Sequence, residues 1–177
     1  MKNRCIMIVP NFDNGNIIDE IREKYDRNAH RVRPHITLVF PFESDIGERE
    51  LRCHLSMALS GMKRFPMTLQ GVQKMDSSSG YYLYVEVKAG SEEIQCMHRA
   101  LYGGLLQSFM PEWLQNMAFM PHMTIGQFDD NAGLIQAYQN VFPLNEVFHT
   151  IVEKIAVEII GEEEMSVTEM VIGLDSD

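Results

Sequence analysis

Two short stretches of this chain follow one pattern. Pro34-His35-Ile36-Thr37-Leu38 and Pro121-His122-Met123-Thr124-Ile125 both read Pro, His, apolar, Thr, apolar, and their histidines lie 87 residues apart. An imidazole titrates near neutrality, so one histidine of such a pair can accept a proton while the other, already protonated, donates one. Phosphodiester cleavage asks for both acts. A base takes the proton of an attacking water or hydroxyl, and an acid protonates the leaving oxygen. A matched acid and base contribute roughly 10²–10⁴-fold each. The threonine hydroxyls can donate to the non-bridging phosphate oxygens and stabilise the charge that grows there in the transition state. This scheme requires no metal ion.

One His-x-Thr in a strand is common and says little. Its bland reading is a structural histidine with satisfied hydrogen bonds. Two copies, each behind a proline and at matching places in two repeats, are a different signal and point to function.

The elements that must carry these motifs are legible in the hydrophobic periodicity. Residues 4–10 read as a buried strand. Residues 16–28 read as a helix with Ile17, Ile18, Ile21 and Tyr25 on one face. Residues 35–40 alternate as a strand, 47–62 carry Leu51, Leu55, Leu59 and Met62 at helical spacing, and 66–74 read as a strand. The cluster Asp76-Ser77-Ser78-Ser79-Gly80 reads as a hairpin loop. The order then repeats: strand 81–88, helix 91–107 with Ser91 as N-cap, strand 122–128 and helix 130–142. Two closing strands are expected near 151–161 and 165–173. Two passes through one order of elements imply an internal pseudo-repeat, the first about 1–76 and the second about 80–177. Neither half is large enough to bury a full core alone, so a single two-lobed domain is expected.

Strand geometry explains the motif spacing. Side chains two apart share a face, so His35 projects with Thr37 and His122 with Thr124, while Ile36, Leu38, Met123 and Ile125 point the other way. If a pseudo-twofold axis relates the halves, the two His-Thr pairs can meet across a groove.

Composition narrows the function classes. Fifteen Lys and Arg against 25 Asp and Glu leave a net charge of −10, which repels long polyanions, so a long DNA or RNA footprint is disfavoured. A small anionic ligand in one cleft is compatible with that charge. No apolar run approaches the roughly 20 residues of a membrane span, and the N-terminal apolar stretch is too short for a secretion signal. A cytoplasmic location is expected. Cys5, Cys53 and Cys96 are odd in number and widely spaced, which fits buried free thiols rather than a disulfide framework or a zinc site. The 13 methionines read as adaptable core filler.

The paired motifs resemble those of the two-histidine (2H) phosphoesterase superfamily, which includes the 2′-5′ RNA ligase-like and cyclic phosphodiesterase proteins. The resemblance covers both His-x-Thr motifs and most of the order of elements. It implies a bilobal α+β fold with pseudo-twofold symmetry, two antiparallel sheets around a central groove, and helices on the outside. It also implies a hydrolase acting without metal or cofactor on a cyclic or 2′-5′ phosphodiester, in a small nucleotide or at an RNA end, with a role in RNA processing. His35 and His122 match the catalytic histidines, and Thr37 and Thr124 the phosphate-binding positions. Where many ligase-like members carry a basic residue after the second motif, this chain has Gln127, which supplies no charge.

Further residues are candidates for substrate contact. Arg27, His30, Arg31 and Arg33 cluster ahead of the first motif, and Arg31 or Arg33 can grip a phosphate; the competing account is surface ion pairing. Tyr82 and Tyr84 share a strand face and can stack on a base; packing under a helix is the alternative. Phe128, like Phe40 and Phe42, lies just past a motif strand, where core packing competes with a place at the groove edge. His54, His98 and His149 have no ligand-like neighbours and read as surface or structural residues. Trp113 lies in the connection 108–120, a lid or plain packing, and Glu162-Glu163-Glu164 reads as a turn.

Three functions compete. The first is the phosphoesterase, working as a monomer or weak homodimer with no membrane partner. The second is a protein that binds a nucleotide or RNA end in the same groove without turnover. The third, a metal-dependent hydrolase, lacks carboxylates at motif spacing, since residues 36, 38, 123 and 125 are all apolar.

Overall fold

The computed structural model describes residues 1–77 and 80–176. Two four-stranded antiparallel sheets carry the chain. The first half supplies β1 (Lys2–Ile8), α1 (Asn16–Tyr25), β2 (Ile36–Ser44), α2 (Glu48–Ala58) and β3 (Phe65–Ser77). The second supplies β4 (Gly80–Ala89), α3 (Ser91–Leu101), a short α4 (Glu112–Gln115), β5 (His122–Phe128), α5 (Asn131–Val141), β6 (Val147–Val152), β7 (Lys154–Ile160) and β8 (Ser166–Gly173). One sheet has the order β2-β1-β7-β8 and the other β5-β4-β3-β6. Each sheet therefore draws strands from both halves of the sequence: β3 joins β4 and β5, and β7 and β8 join β1 and β2. The motif strands β2 and β5 are edge strands, and the two edges lie alongside each other.

Alternation sets which face is buried. In the first sheet Ile6, Ile8, Ile36, Leu38, Ile155 and Val157 are at most 1% exposed. They pack under α2 and α3, which bring Leu51, Leu55, Ile94 and Leu101. In the second sheet Leu69, Leu83, Val85, Met123 and Ile125 do the same under α1 and α5, with Ile18, Leu134 and Ala137. Burying each such side chain contributes about 1.5–3 kcal/mol. The helices cross over. The helix that precedes one motif strand packs on the other: α1 lies on β5, and α3 on β2. Packing the apolar face of each motif strand thus requires the opposite half.

Several boundaries differ from expectation for physical reasons. The strand expected to end at residue 40 runs on through Pro41 to Ser44, because β2 is a sheet edge where a missing N–H costs nothing. Ser91 is the first helical residue of α3 rather than its cap; Gly90, at φ 85°, makes the turn into the helix with no side-chain cap. That helix stops at Leu101, ahead of Gly103-Gly104, and a 3₁₀ helix follows over Gly104–Phe109. The strand expected over 151–161 is two strands in different sheets, parted only at Glu153. Ser77 pairs with Gly80 across the expected hairpin, whose tip at Ser78 and Ser79 lies outside the described residues. Only Cys5 is a buried thiol, and burial beside Glu158 pushes it up to about 12; Cys53 and Cys96 are exposed. Met7, Met67, Met97, Met123 and Met170 do fill the core, but Met57, Met117, Met120 and Met165 are exposed. No helix among the described residues is long and apolar enough to cross a membrane.

One ion pair is buried under the first sheet. Arg4 Nε meets Glu169 Oε2 at 2.6 Å, its Nη2 meets Oε1 at 3.0 Å, and Lys2 Nζ adds a third contact at 2.6 Å. These cations hold the Glu169 carboxyl down at about 2, from an ordinary 4.5. A depressed acid stabilises the fold above its unfolded value, and that contribution is lost as pH falls through the folded one. Acidification across this window is expected to remove about 3 kcal/mol of stability through Glu169. Urea unfolding at stepped pH checks this. In Glu169→Gln most of that loss should be absent, and curves that stay parallel to the wild type would contradict it.

Candidate functional site

The motif histidines are held alike. His35 Nδ1 donates to the carbonyl of Arg33 at 2.8 Å, and His122 Nδ1 donates to the carbonyl of Met120 at 2.8 Å. A carbonyl can only accept, so Nδ1 carries the proton in both rings and Nε2 is the nitrogen left to take up or release one. Among the described residues neither Nε2 has a protein partner, and the hydroxyls of Thr37 and Thr124 likewise bond to no protein atom. All four side chains are half-buried, while their strand neighbours Ile36, Leu38, Met123 and Ile125 are fully buried.

Each pair has its own surroundings on the open face of its sheet. Thr37 pairs with Met7, which pairs with Ala156. Thr124 pairs with Tyr84, and His122 with Glu86. The Tyr84 ring lies 4.9 Å from the His122 ring, centroid to centroid. Burial and the nearby Glu86 carboxylate raise the Tyr84 phenol above its ordinary value, so it stays protonated near neutrality. Burial also lowers both histidines. For His35 the Arg22 guanidinium pushes the same way, against its backbone hydrogen bond and the carboxylates of Asp26 and Glu158. For His122 only the bond to Met120 opposes burial. Both rings are therefore biased toward the neutral form when nothing is bound.

The basic cluster ahead of the first motif is tied into the protein. Arg27 meets Asp129 at 3.0 Å and His30 meets Glu23 at 3.1 Å. Arg31 meets Glu164 at 2.6 Å, and Arg33 meets Glu158 at 2.8 Å. Behind these, the buried Arg22 pairs with Asp26 at 2.8 Å and donates to the carbonyls of Asn28 and Val32. A surface cavity of about 710 Å³ opens beside the motif, walled by Val9, Pro10, Arg33, Pro34, Ala156 and Thr168 among others. None of the four motif side chains is among its walls.

The remaining candidates fall into place around this frame. Tyr82 is half-buried, and its strand partner across β5 is Gln127. Phe128 packs against Tyr25 at 6.2 Å between centroids and over Gly126. Phe40 meets the half-exposed Trp113 edge-on at 4.9 Å, so the 108–120 connection rests on the middle of β2. Phe42 is buried against Phe109. His98 is buried, donates Nδ1–H to Leu38 O at 2.7 Å and stacks on Phe119, while His54 and His149 meet Leu101 O and Thr68. Among the described residues no three His, Cys, Asp or Glu side chains gather at metal-binding distance.

Sequence reading passed over two features. A bulge in β5 shifts the register between Leu83 and Tyr84, so Gln127 pairs with Tyr82 on the open face instead of following Ile125 into the core. Its side chain accepts from Asn28 Nδ2 at 3.4 Å. Gly126 in mid-strand is the signal for such a bulge. The second is Glu158, a carboxylate inside the apolar run Ile155–Ile160, whose buried charge must have partners.

Comparison with known proteins identifies the family and the fold. The sequence model of the 2′-5′ RNA ligase superfamily matches residues 9–162, which include both motifs. A candidate phosphoesterase of Bacillus licheniformis is 32% identical over 126 residues, covering 69% of each chain. Among solved structures, a Thermus thermophilus protein superposes with a TM-score of 0.63 at 16% identity, over 99% of each chain. The E. coli protein LigT in its apo form gives 0.60 at 12% identity, over 98% of this chain and 97% of its own. LigT has also been solved with ATP and with 3′-AMP.

Proposed function

The chain belongs to the 2′-5′ RNA ligase superfamily, and from that premise we propose that it is a metal-independent phosphoesterase. It cleaves a cyclic or 2′-5′ phosphodiester in a small nucleotide or at an RNA end. His35 and His122 act as the general acid and base, and Thr37 and Thr124 bind the phosphate. The observation that carries this reading is the shared anchoring of the two imidazoles by the carbonyls of Arg33 and Met120 at 2.8 Å. It fixes the same tautomer twice and, among the described residues, leaves two Nε2 atoms and two hydroxyls without protein partners on adjoining strand edges. A phosphate between them has an acid on one side, a base on the other and donors for its oxygens. The nucleotides bound by LigT support the choice of substrate class, and the neutral Gln127 suits a small nucleotide at least as well as a charged RNA end.

The reading treats residues 1–177 as one two-lobed unit. The exchange of β3 and of β7 and β8 between the sheets supports this, since each sheet is incomplete without the other half.

The test is a panel assay in EDTA with 2′,3′-cyclic nucleotides, 2′-5′-linked oligoadenylates, ADP-ribose cyclic phosphate and RNA ending in a 2′,3′-cyclic phosphate. Turnover of at least one is expected. Absence of turnover, with heat stabilisation by one of these ligands, would mark a binding protein instead.

The lowered histidines also set the pH dependence. Burial and Arg22 lower His35 against Asp26, Glu158 and its backbone bond, and burial lowers His122. Free enzyme holds the acid protonated only on the acid side of the ordinary imidazole value. The kcat/KM profile should therefore peak below about pH 6.5. A bound phosphate anion favours imidazolium, so the kcat profile should peak at higher pH than kcat/KM. Coincident profiles peaking above about pH 8 would contradict the assignment.

A further inference from the structure

The segment leading into the first motif is stitched to the β7–β8 hairpin. Arg31 O accepts from Ser166 N at 2.9 Å, and Arg31 Nη1 reaches Glu164 at 2.6 Å. Arg33 Nη2 donates to Glu158 Oε1 at 2.8 Å and to Thr168 Oγ1 at 3.1 Å. Glu158 is the fixed point. Its side chain is only 3% exposed, and it also accepts from Ser166 Oγ and Thr168 Oγ1, each at 2.7 Å. The backbone carbonyl of the same Arg33 holds His35 Nδ1–H. A continuous path thus runs from Glu158 through Arg33 to the imidazole. Among the described residues the second motif has no such path: Met120 is exposed and uncharged, and Glu86 beside His122 is paired to Lys88.

We propose that Glu158 is a positioning residue for His35, clamping Arg33 so that its carbonyl keeps the Nδ1–H of the imidazole and Nε2 remains the proton-transfer nitrogen. The proposal rests on the reading of His35 as a proton-transfer group. Burying a carboxylate is costly, and an apolar residue among Ile155, Val157 and Ile159 would stabilise β7 at less expense, so stability alone gives no reason for the charge. The clamp supplies one. The charged groups facing His35 are Arg22 from α1, Asp26 from the loop after it, Arg33 from its own segment and Glu158 from β7. Removing the Glu158 charge withdraws support for the imidazolium and leaves the Arg33 guanidinium uncompensated. Both changes favour neutral His35.

The test uses Glu158→Gln, which keeps the side-chain volume, with Arg33→Ala as a second variant at a more exposed position. Activity would be read on the best substrate of the EDTA panel, and the histidine ¹⁵N resonances by NMR without substrate. In both variants kcat is expected to fall about tenfold with KM within about twofold, since geometry and not binding is lost. The pH limb that follows His35 should move to lower pH in Glu158→Gln, which removes a carboxylate, and to higher pH in Arg33→Ala, which removes a cation and leaves Glu158 uncompensated; in both the His35 resonances should move while those of His122 stay. Arg33→Lys, which retains the ion pair, should recover part of the activity. A Glu158→Gln protein that melts lower but keeps wild-type kcat, pH profile and His35 resonances would overturn the proposal and leave Glu158 a structural residue. If the wild type cleaves nothing in the panel, the proposed function fails, and the NMR arm still decides whether Glu158 positions His35.

Discussion

His122→Asn is expected to lower kcat by about 10³-fold or more while the protein remains folded. Asparagine can still donate its amide N–H toward the Met120 carbonyl that now receives Nδ1–H at 2.8 Å, so the local backbone keeps its partner. It cannot exchange a proton at neutral pH. The side chain is half-buried on an open face and not in the core, which limits the structural cost. His35→Asn should behave the same way toward Arg33 O. The double variant should lose little more than either single one, because an acid and a base that act in one transition state are not additive. Circular dichroism and thermal melting check the fold, and initial rates in EDTA check the chemistry. A single variant that keeps more than about a tenth of wild-type kcat would remove that histidine from the mechanism.

Arg22→Leu is expected to cost about 3–5 kcal/mol of stability, the toll for breaking one side of a buried ion pair. Arg22 is 2% exposed and its partner Asp26 9%. The substitution leaves the Asp26 carboxylate with the Asn28 N–H at 2.9 Å but without its cation, and takes the donors from the carbonyls of Asn28 and Val32. Those carbonyls belong to the segment that delivers His35, so kcat should fall even in the fraction that remains folded. Urea denaturation gives the stability change, and removing the stranded charge in Arg22→Leu/Asp26→Leu should recover part of it. A loss below about 1 kcal/mol in the single variant would mean that the pair is as weak as a surface one.

The motif strands were legible from sequence because period-two alternation sorts their side chains unambiguously. Ile36 and Leu38 against His35 and Thr37, and Met123 and Ile125 against His122 and Thr124, fall on the faces expected. The helices between the strands were legible from apolar residues three and four apart, and together the two periods give the repeated order of elements. The break at Glu153 was hidden because Ile151 through Ile155 holds no glycine or proline, and a change of sheet needs none. The crossing of α1 onto β5 and α3 onto β2 is a tertiary choice that an amphipathic stripe does not encode. The arginines before the first motif illustrate the same limit. Their charge is plain in the sequence, but Glu158 and Glu164, to which Arg33 and Arg31 pair, lie more than a hundred residues away. Gln127 turned outward because of a bulge that only the mid-strand Gly126 foreshadowed.

The central claim is that one phosphate sits between the Nε2 atoms of His35 and His122. Titrating ¹⁵N-histidine-labelled protein with a nucleoside 2′- or 3′-monophosphate, read by NMR in EDTA, tests it most directly. The account predicts that the Nε2 resonances of His35 and His122 move together along one binding curve, with both Nδ1 atoms still protonated and His54, His98 and His149 unmoved. Movement of only one motif histidine, or of neither while the nucleotide binds, would contradict it.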